Sequence, residues 1–138
     1  LSAIPMQTIC ESFIKRRAIR HLEKNRIIIL AAGTGNPYFS TDTAATLRAA
    51  EMNCDVLFKG TSVDGVYESD PKLNPNSKKY STISYKKLLE DNLKVMDSSA
   101  ITLARDNNIP MVVFSILEES SFFKAVNAEE PYSIISEK

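Results

Sequence analysis

The sequence predicts an α/β fold, a mainly parallel sheet sandwiched between helices, and three observations carry that prediction. The run Ile27-Ile28-Ile29-Leu30-Ala31-Ala32 is continuously apolar, the pattern of a strand covered on both faces. That run, an alanine-rich helical stretch over residues 42–53 and a second apolar run over 54–59 give strand, helix, strand within about thirty residues, the size of a βαβ unit with its right-handed crossover. The connection between the first two is Gly33-Thr-Gly-Asn-Pro-Tyr-Phe-Ser-Thr-Asp42. Its glycines allow close backbone approach, and Ser40, Thr41 and Asp42 are all good helix N-cap types. A glycine turn running into a helix start suits a phosphate, because free N–H groups and the helix dipole point there. A plain β-to-α turn would use the same residues.

The bulk properties bound the class. At 138 residues the chain is long enough for one compact domain. Its 43% hydrophobic and 25% charged content is that of a soluble globular protein. Lys+Arg and Asp+Glu both number 17, so no global field points to nucleic acid or a membrane as partner. No apolar run approaches a membrane span, and the start, Leu1-Ser2-Ala3-Ile4-Pro5, has neither Met nor a signal-peptide pattern. It reads as the middle of a longer sequence. Cys10 and Cys54 lie far apart and in no metal spacing, which fits reduced structural thiols in a cytoplasmic protein; a disulfide stays open at this point.

Taken in order, residues 1–9 read as extended or looped. Residues 11–25 read as an amphipathic helix with Phe13, Ile14, Ala18, Ile19 and Leu22 on one face. Lys15, Arg16, Arg17, Arg20 and Lys24 form a solvated basic face, and His21, the single histidine, sits beside it without metal-ligand partners. The strand at 26–32, the glycine loop, the helix at 42–53 and the strand at 54–59 follow. Residues 60–83 read as a long polar connection broken by Asp64-Gly65, Asp70-Pro71 and Asn74-Pro75, and a loop of that length is usually functional or disordered. Asp64, Glu68 and Asp70 do not meet calcium-loop spacing. A short helix capped by Ser84 runs over 84–91, and a second, opened by Asp97, runs to about residue 107, where Asn107-Asn108 and Ile109-Pro110 stop it. A strand over 111–115, a helix over 119–127 with Phe122, Phe123 and Val126 inward, and a final strand over 132–135 complete the chain.

The chemistry concentrates in three places: the 33–42 loop, the 60–70 loop and the helix start at Met96-Asp97-Ser98. Loops at the carboxyl ends of parallel strands line one crevice. Hydroxyls, backbone donors, carboxylates and Lys59 suit phosphates, a ribose and a metal-bound nucleotide. Acyl transfer is not indicated, since G-x-S-x-G is absent and His21 has no triad context. The G-x-x-x-x-G-K-[ST] and G-x-G-x-x-G signatures are absent too.

Four motifs in order then carry a resemblance: the 33–42 loop, Asp55-Val-Leu-Phe-Lys-Gly-Thr-Ser-Val-Asp-Gly-Val-Tyr67, Asp70-Pro71 and Lys94-Val-Met-Asp97. Together they resemble the bacterial uridylate kinases of the amino acid kinase family, over nearly the whole chain. The resemblance implies that residues 1–138 are the carboxyl-terminal part of a single amino acid kinase domain. The family's lysine-and-glycine phosphate segment and second glycine-rich loop are not in these residues, so the fold is expected to be incomplete at its amino-terminal side and the 138 residues alone to have little activity. The implied reaction is ATP-dependent phosphorylation of UMP to UDP, with Mg²⁺. By the same resemblance Thr34, Gly35, Asn36, Pro37, Tyr38, Phe39, Ser40 and Thr41 bind UMP, with its phosphate at the loop. Thr61, Tyr67 and Asp70 contact ATP, and Tyr67 stands where the family often has Phe. Asp42 organises the phosphoryl-transfer centre with Asp97 nearby; helix capping is the local alternative for both. Lys59 either offsets phosphate charge or merely ends a strand. No protein-bound metal site is implied. A homohexamer, activated by GTP and inhibited by UTP, is implied as well. Two alternatives stand beside this one: a kinase of the same fold acting on a carboxylate or carbamate, and a non-catalytic nucleotide-binding protein.

Overall fold

The computed structural model describes residues 1–137; residue 138, with which the predicted domain ends, lies outside the described residues. The central layer is a four-stranded sheet of order β1-β5-β6-β4, built from β1 (Leu57–Thr61), β4 (Thr82–Ile83), β5 (Met111–Ser115) and β6 (Ser133–Ile135). The pairs β1–β5 and β4–β6 are parallel and β5–β6 is antiparallel. The register runs from Leu57 opposite Met111 to Thr61 opposite Ser115. A separate antiparallel hairpin pairs β2 (Val66–Tyr67) with β3 (Lys79–Tyr80).

The central strand β5 is buried along its whole length, as its unbroken Met-Val-Val-Phe-Ser run requires. On one face Met111 and Val113 join Val66, Leu88, Ala100, Ile101, Ala104 and Ile135 in the main core. Helices α3 (Tyr85–Glu90) and α4 (Ser98–Asp106) supply that layer, and α2 (Thr41–Glu51) packs against α4. The small residues Ala100 and Ala104 lie at the heart of this core, both fully buried, and let α4 sit close. Tyr85, also buried, donates its hydroxyl to the Ile109 carbonyl at the start of the strand; burial, then the Glu137 charge, pushes this phenol up to about 12. On the other face Val112, Phe114 and Ala125 cluster with Phe58 and Ile134.

Each of the three inner helix starts follows the predicted cap. Ser40 accepts from the Thr43 N–H at 3.0 Å, Ser84 from Lys87 N–H at 3.1 Å and Asp97 from Ala100 N–H at 2.8 Å. Each such bond is worth on the order of 1 kcal/mol. Helix α1 (Lys15–Glu23) is shorter than the predicted 11–25, with Ile14 at its cap position. Phe13 lies under the Arg48 guanidinium, 3.8 Å from it, which ties the segment before α1 to α2. His21 bonds Glu11 at 3.1 Å and Arg26 at 3.0 Å, a surface network as expected of it. Cys10 and Cys54 are free thiols, and burial pushes that of Cys54 up.

Three expectations are corrected. Residues 26–30 form no strand buried on both faces: Ile27 is 96% exposed and Ile29 79%. The segment is held along one edge, by a bridge from Ala31 to Ser2 and a bond from the Leu1 amino group to the Ile29 carbonyl at 2.7 Å. The predicted βαβ unit therefore does not form there, and β1 finds its parallel partner in β5. The 60–83 connection is not featureless, since it contains the β2–β3 hairpin and β4. In α5 (Ser121–Val126), Ser121 and Ala125 are buried and Phe122 lays its ring against Phe58 and Phe114 of the sheet, as expected of it, while Phe123 and Val126 are more than half exposed. Successive helical residues point about 100° apart, so two adjacent phenylalanines cannot share a narrow inner stripe.

Candidate functional site

Two cavities lie side by side at the carboxyl end of β1. The larger, about 420 Å³, is lined by Thr61, Ser62, Val63, the hairpin from Val66 to Asp70, Lys72, and the stretch Asn92-Leu93-Lys94-Val95. The second, about 280 Å³, is lined by Asp42, Met96 and Ser98, and by the same Asn92-Leu93-Lys94-Val95 stretch. That stretch is thus a partition with a space on each side. The first space combines an apolar floor of Val63, Val66, Val95 and Val113 with hydroxyls and two lysines at its walls, a lining that fits a flat heterocycle bearing phosphates.

The first turn of α2 holds the charged groups together. Asp42 forms an ion pair with Lys59 of β1, both about a quarter exposed. Lys59 and Thr61 are two apart on β1 and so share a face of the strand. Ser40 donates to the Asp97 carboxylate, and Thr43 donates to the same group at 3.0 Å. Asp97 thereby joins the starts of α2 and α4. Burial raises its pKa, but the Ser40, Ala100 and Thr43 hydrogen bonds outweigh that and hold it below the usual carboxylate range. A group with a depressed native pKa adds stability above its unfolded pKa and loses it as pH falls through the native one. Asp97→Asn is therefore expected to be less stable than the wild type at pH 7, with a gap that narrows at a second, acidic pH as the native Asp97 carboxylate takes up its proton. Urea unfolding midpoints at the two pH values measure this; a gap unchanged at low pH would remove the carboxylate charge as its cause.

The structure brings Thr61, Tyr67 and Asp70 to the larger cavity and Asp42 to the second. It leaves the Thr34-to-Thr41 loop outside both, and residues 36–41 of it are exposed, Tyr38 completely so. Only Ser40 of that loop reaches the charged centre, through Asp97. Gly33 and Gly35 do adopt left-handed backbone, at φ 59° and 77°, and a Cβ on Gly35 would come within 3.0 Å of the Ala3 carbonyl oxygen. The capping reading holds for Asp97 and is corrected for Asp42: Ser40 is the cap, two residues earlier, and leaves the Asp42 carboxylate for Lys59. The sequence reading did not find Thr43, Lys72 or the partition residues Asn92 and Leu93. The signal for Thr43 was its place three residues after a cap serine; Lys94 stood in a quoted motif without a role.

Among the described residues no three His, Cys, Asp or Glu side chains are grouped to hold a metal ion, and no helix is long and apolar enough to cross a membrane.

Comparison with known proteins places the sequence and the fold. The uridylate kinase of Erythrobacter litoralis is 59% identical over 134 residues, covering 97% of this chain and 56% of that protein. That of Rickettsia felis is 56% identical, covering 99% and 57%. The crystal structure of UMP kinase from Ureaplasma parvum matches with a TM-score of 0.95 at 39% identity, covering 99% of this chain and 58% of that one. UMP kinase from Bacillus anthracis matches with 0.93 at 35% identity, covering 99% and 57%. The chain spans somewhat over half the length of these relatives. Residues 3–115 match the amino acid kinase family, and on that match, with the fold shared along nearly its whole described length, the chain belongs to the amino acid kinase family.

Proposed function

We propose that the complete protein transfers the γ-phosphoryl group of ATP to the phosphate of UMP, giving ADP and UDP. The observation that carries this reading is the pair of cavities that share the Asn92-Leu93-Lys94-Val95 stretch, with Asp42, paired to Lys59, lining the second. Phosphoryl transfer asks for a donor and an acceptor held in line and for fixed positive charge at the junction, more than for covalent chemistry. The larger cavity, with Tyr67, Thr61 and Asp70, takes ATP. The space beside Asp42 takes the acceptor phosphate, with the 33–42 loop closing on the UMP base and ribose. Asp42 holds Lys59 in place, and the ammonium faces the charge that spreads over the transferred group. Mg²⁺, in this reading, arrives on the nucleotide phosphates and keeps most of its own waters. The names of the relatives support UMP as acceptor. A cytoplasmic homohexamer under GTP activation and UTP inhibition belongs to the same reading and rests on the family resemblance.

The test is an assay coupled to ADP formation, run on the complete protein with UMP, CMP and AMP. Turnover with UMP should exceed that with the other two; equal rates, or ADP release without any acceptor, would overturn the assignment. Within this reading Tyr67→Ala should raise the KM for ATP several-fold, since an aromatic contact is worth about 1 kcal/mol, and leave that for UMP in place. A shift in the UMP value alone would mean that the two cavities are assigned in reverse.

A further inference from the structure

Behind the wall of the larger cavity stands a group that does not line it. Lys79 is the cross-strand partner of Tyr67 in the β2–β3 hairpin. Its Nζ donates to Asp64 Oδ2 at 2.8 Å, while the Tyr67 hydroxyl donates to Asp64 Oδ1 at 2.6 Å. One carboxylate thus receives both partners, one on each oxygen. The Lys79 and Asp64 side chains are only about a quarter exposed, 26% and 28%. The cavity is lined by Tyr67, Gly65 and Val63 and by neither Asp64 nor Lys79.

From this geometry we infer that Lys79, acting through Asp64, is a positioning residue that fixes the Tyr67 ring in the wall of the nucleotide cavity. The inference rests on the reading of that cavity as the ATP site. Tyr67 is half-buried and belongs to neither hydrophobic cluster of the core. The hydroxyl bond to a carboxylate that is itself pinned by an ammonium removes the ring's freedom before a ligand arrives. Phenylalanine at this position would have the ring and not the tether, so Lys79 and the Tyr67 hydroxyl form one device. Hydrogen bonds to the shared carboxylate also bear on its ionisation: burial raises the Asp64 pKa, and the Lys79 and Tyr67 bonds more than reverse this, keeping it charged at neutral pH.

The experiment uses the complete protein. Lys79→Met keeps the stem and removes the charge. It should raise the KM for ATP about five- to tenfold, the scale of one charge-assisted hydrogen bond, with kcat and the KM for UMP within about twofold. Lys79→Arg, which can still reach the carboxylate, should restore the ATP value. Tyr67→Phe should show a similar rise, and Lys79→Met added to it should have little further effect, because the two act as a unit. Tyr67→Phe alone tests the tether if the Lys79→Met protein does not fold. An ATP KM unchanged in Lys79→Met and in Tyr67→Phe, or additive effects in the double variant, overturns the inference. Titration with a fluorescent ATP analogue separates this from failure of the underlying reading. A wild type that binds the analogue no better than Lys79→Met refutes the tether alone; a wild type that does not bind it refutes the ATP site, and the tether with it.

Discussion

Asp42→Asn in the complete protein is expected to lower turnover by about a hundredfold, the scale of losing one electrostatic stabiliser in a site that excludes water, while the melting temperature stays within a few degrees. The two expectations come from different contacts. The fold needs little from the Asp42 charge, because Ser40 caps α2 and the Thr46 hydroxyl bonds the Asp42 backbone carbonyl, which Asn retains. Lys59 depends on that charge directly, since Asp42 is its ion-pair partner. Asparagine can still accept one hydrogen bond, but it cannot hold an ammonium against the pull of solvent at one fixed position. A phosphate acceptor is already ionised, so the carboxylate is not needed as a strong base. Its work is to keep the cation in line. Lys59→Met should then reproduce the loss. Steady-state turnover with saturating ATP and UMP, read beside thermal melting, checks both variants. A near-normal rate for Asp42→Asn would move the centre of the chemistry to Asp97 or Lys59.

The second large effect is expected at Gly65. A Cβ built there meets Ser133 Oγ at 2.3 Å and Lys79 Cε at 2.6 Å. The lysine end is flexible and can yield. Ser133 cannot: it is fully buried, accepts from the Val66 N–H at 2.9 Å and donates to the Tyr80 carbonyl. The added methyl must either break those bonds or push the Asp64-Gly65-Val66 turn off the sheet. Overpacking of this kind costs about 1–3 kcal/mol, and a freed buried donor adds about as much again. Gly65→Ala should therefore lower the urea midpoint clearly and raise the KM for ATP, because the displaced turn is the cavity wall. Gly33 makes the internal comparison: its nearest neighbour to an added Cβ is Ala44 at 3.9 Å, so any cost there comes from its positive φ and not from a clash. A Gly65→Ala protein with wild-type stability and wild-type ATP dependence would show that the turn has room to move.

How much of this was legible beforehand follows from the range of the interactions. The helices α2, α3 and α4 and the strand β5 were readable because each is marked locally, by a cap serine or aspartate, an apolar period, or the Asn-Asn and Ile-Pro stops. The strand expected at 26–32 was not, because an apolar run records a capacity for burial and says nothing about whether a partner strand lies beside it. The two-residue strands β2, β3 and β4 are too short to show a period. The cap of α2 was ambiguous for a related reason: Ser40, Thr41 and Asp42 are adjacent and chemically alike, and only the three-dimensional position of Lys59 decides which carboxylate or hydroxyl is free for it. The candidate site divides the same way. Motif resemblance named Asp42, Asp97, Thr61, Tyr67 and Asp70 and included Lys94 and Val95 without a role, whereas Lys79 behind Asp64, and Asn92 and Leu93 beside the cavities, emerge only from packing.

The sheet order has a consequence for the sequence of events during synthesis. Strand β6 lies between β5 and β4, so β4, although made some fifty residues earlier, cannot join the sheet until residues 133–135 have emerged. Ser133 also supplies the buried bonds to Val66 and Tyr80 that fasten the hairpin. Contacts of such long sequence separation form late, because the intervening loop must close first. The β1 end of the larger cavity can order once β5 is made, while the Tyr67 wall waits for β6. A ribosome-bound chain stalled before residue 133 would carry the α4–β5 core and an unfastened hairpin, and the hairpin would be fastened in one step when β6 pairs and not in proportion to length.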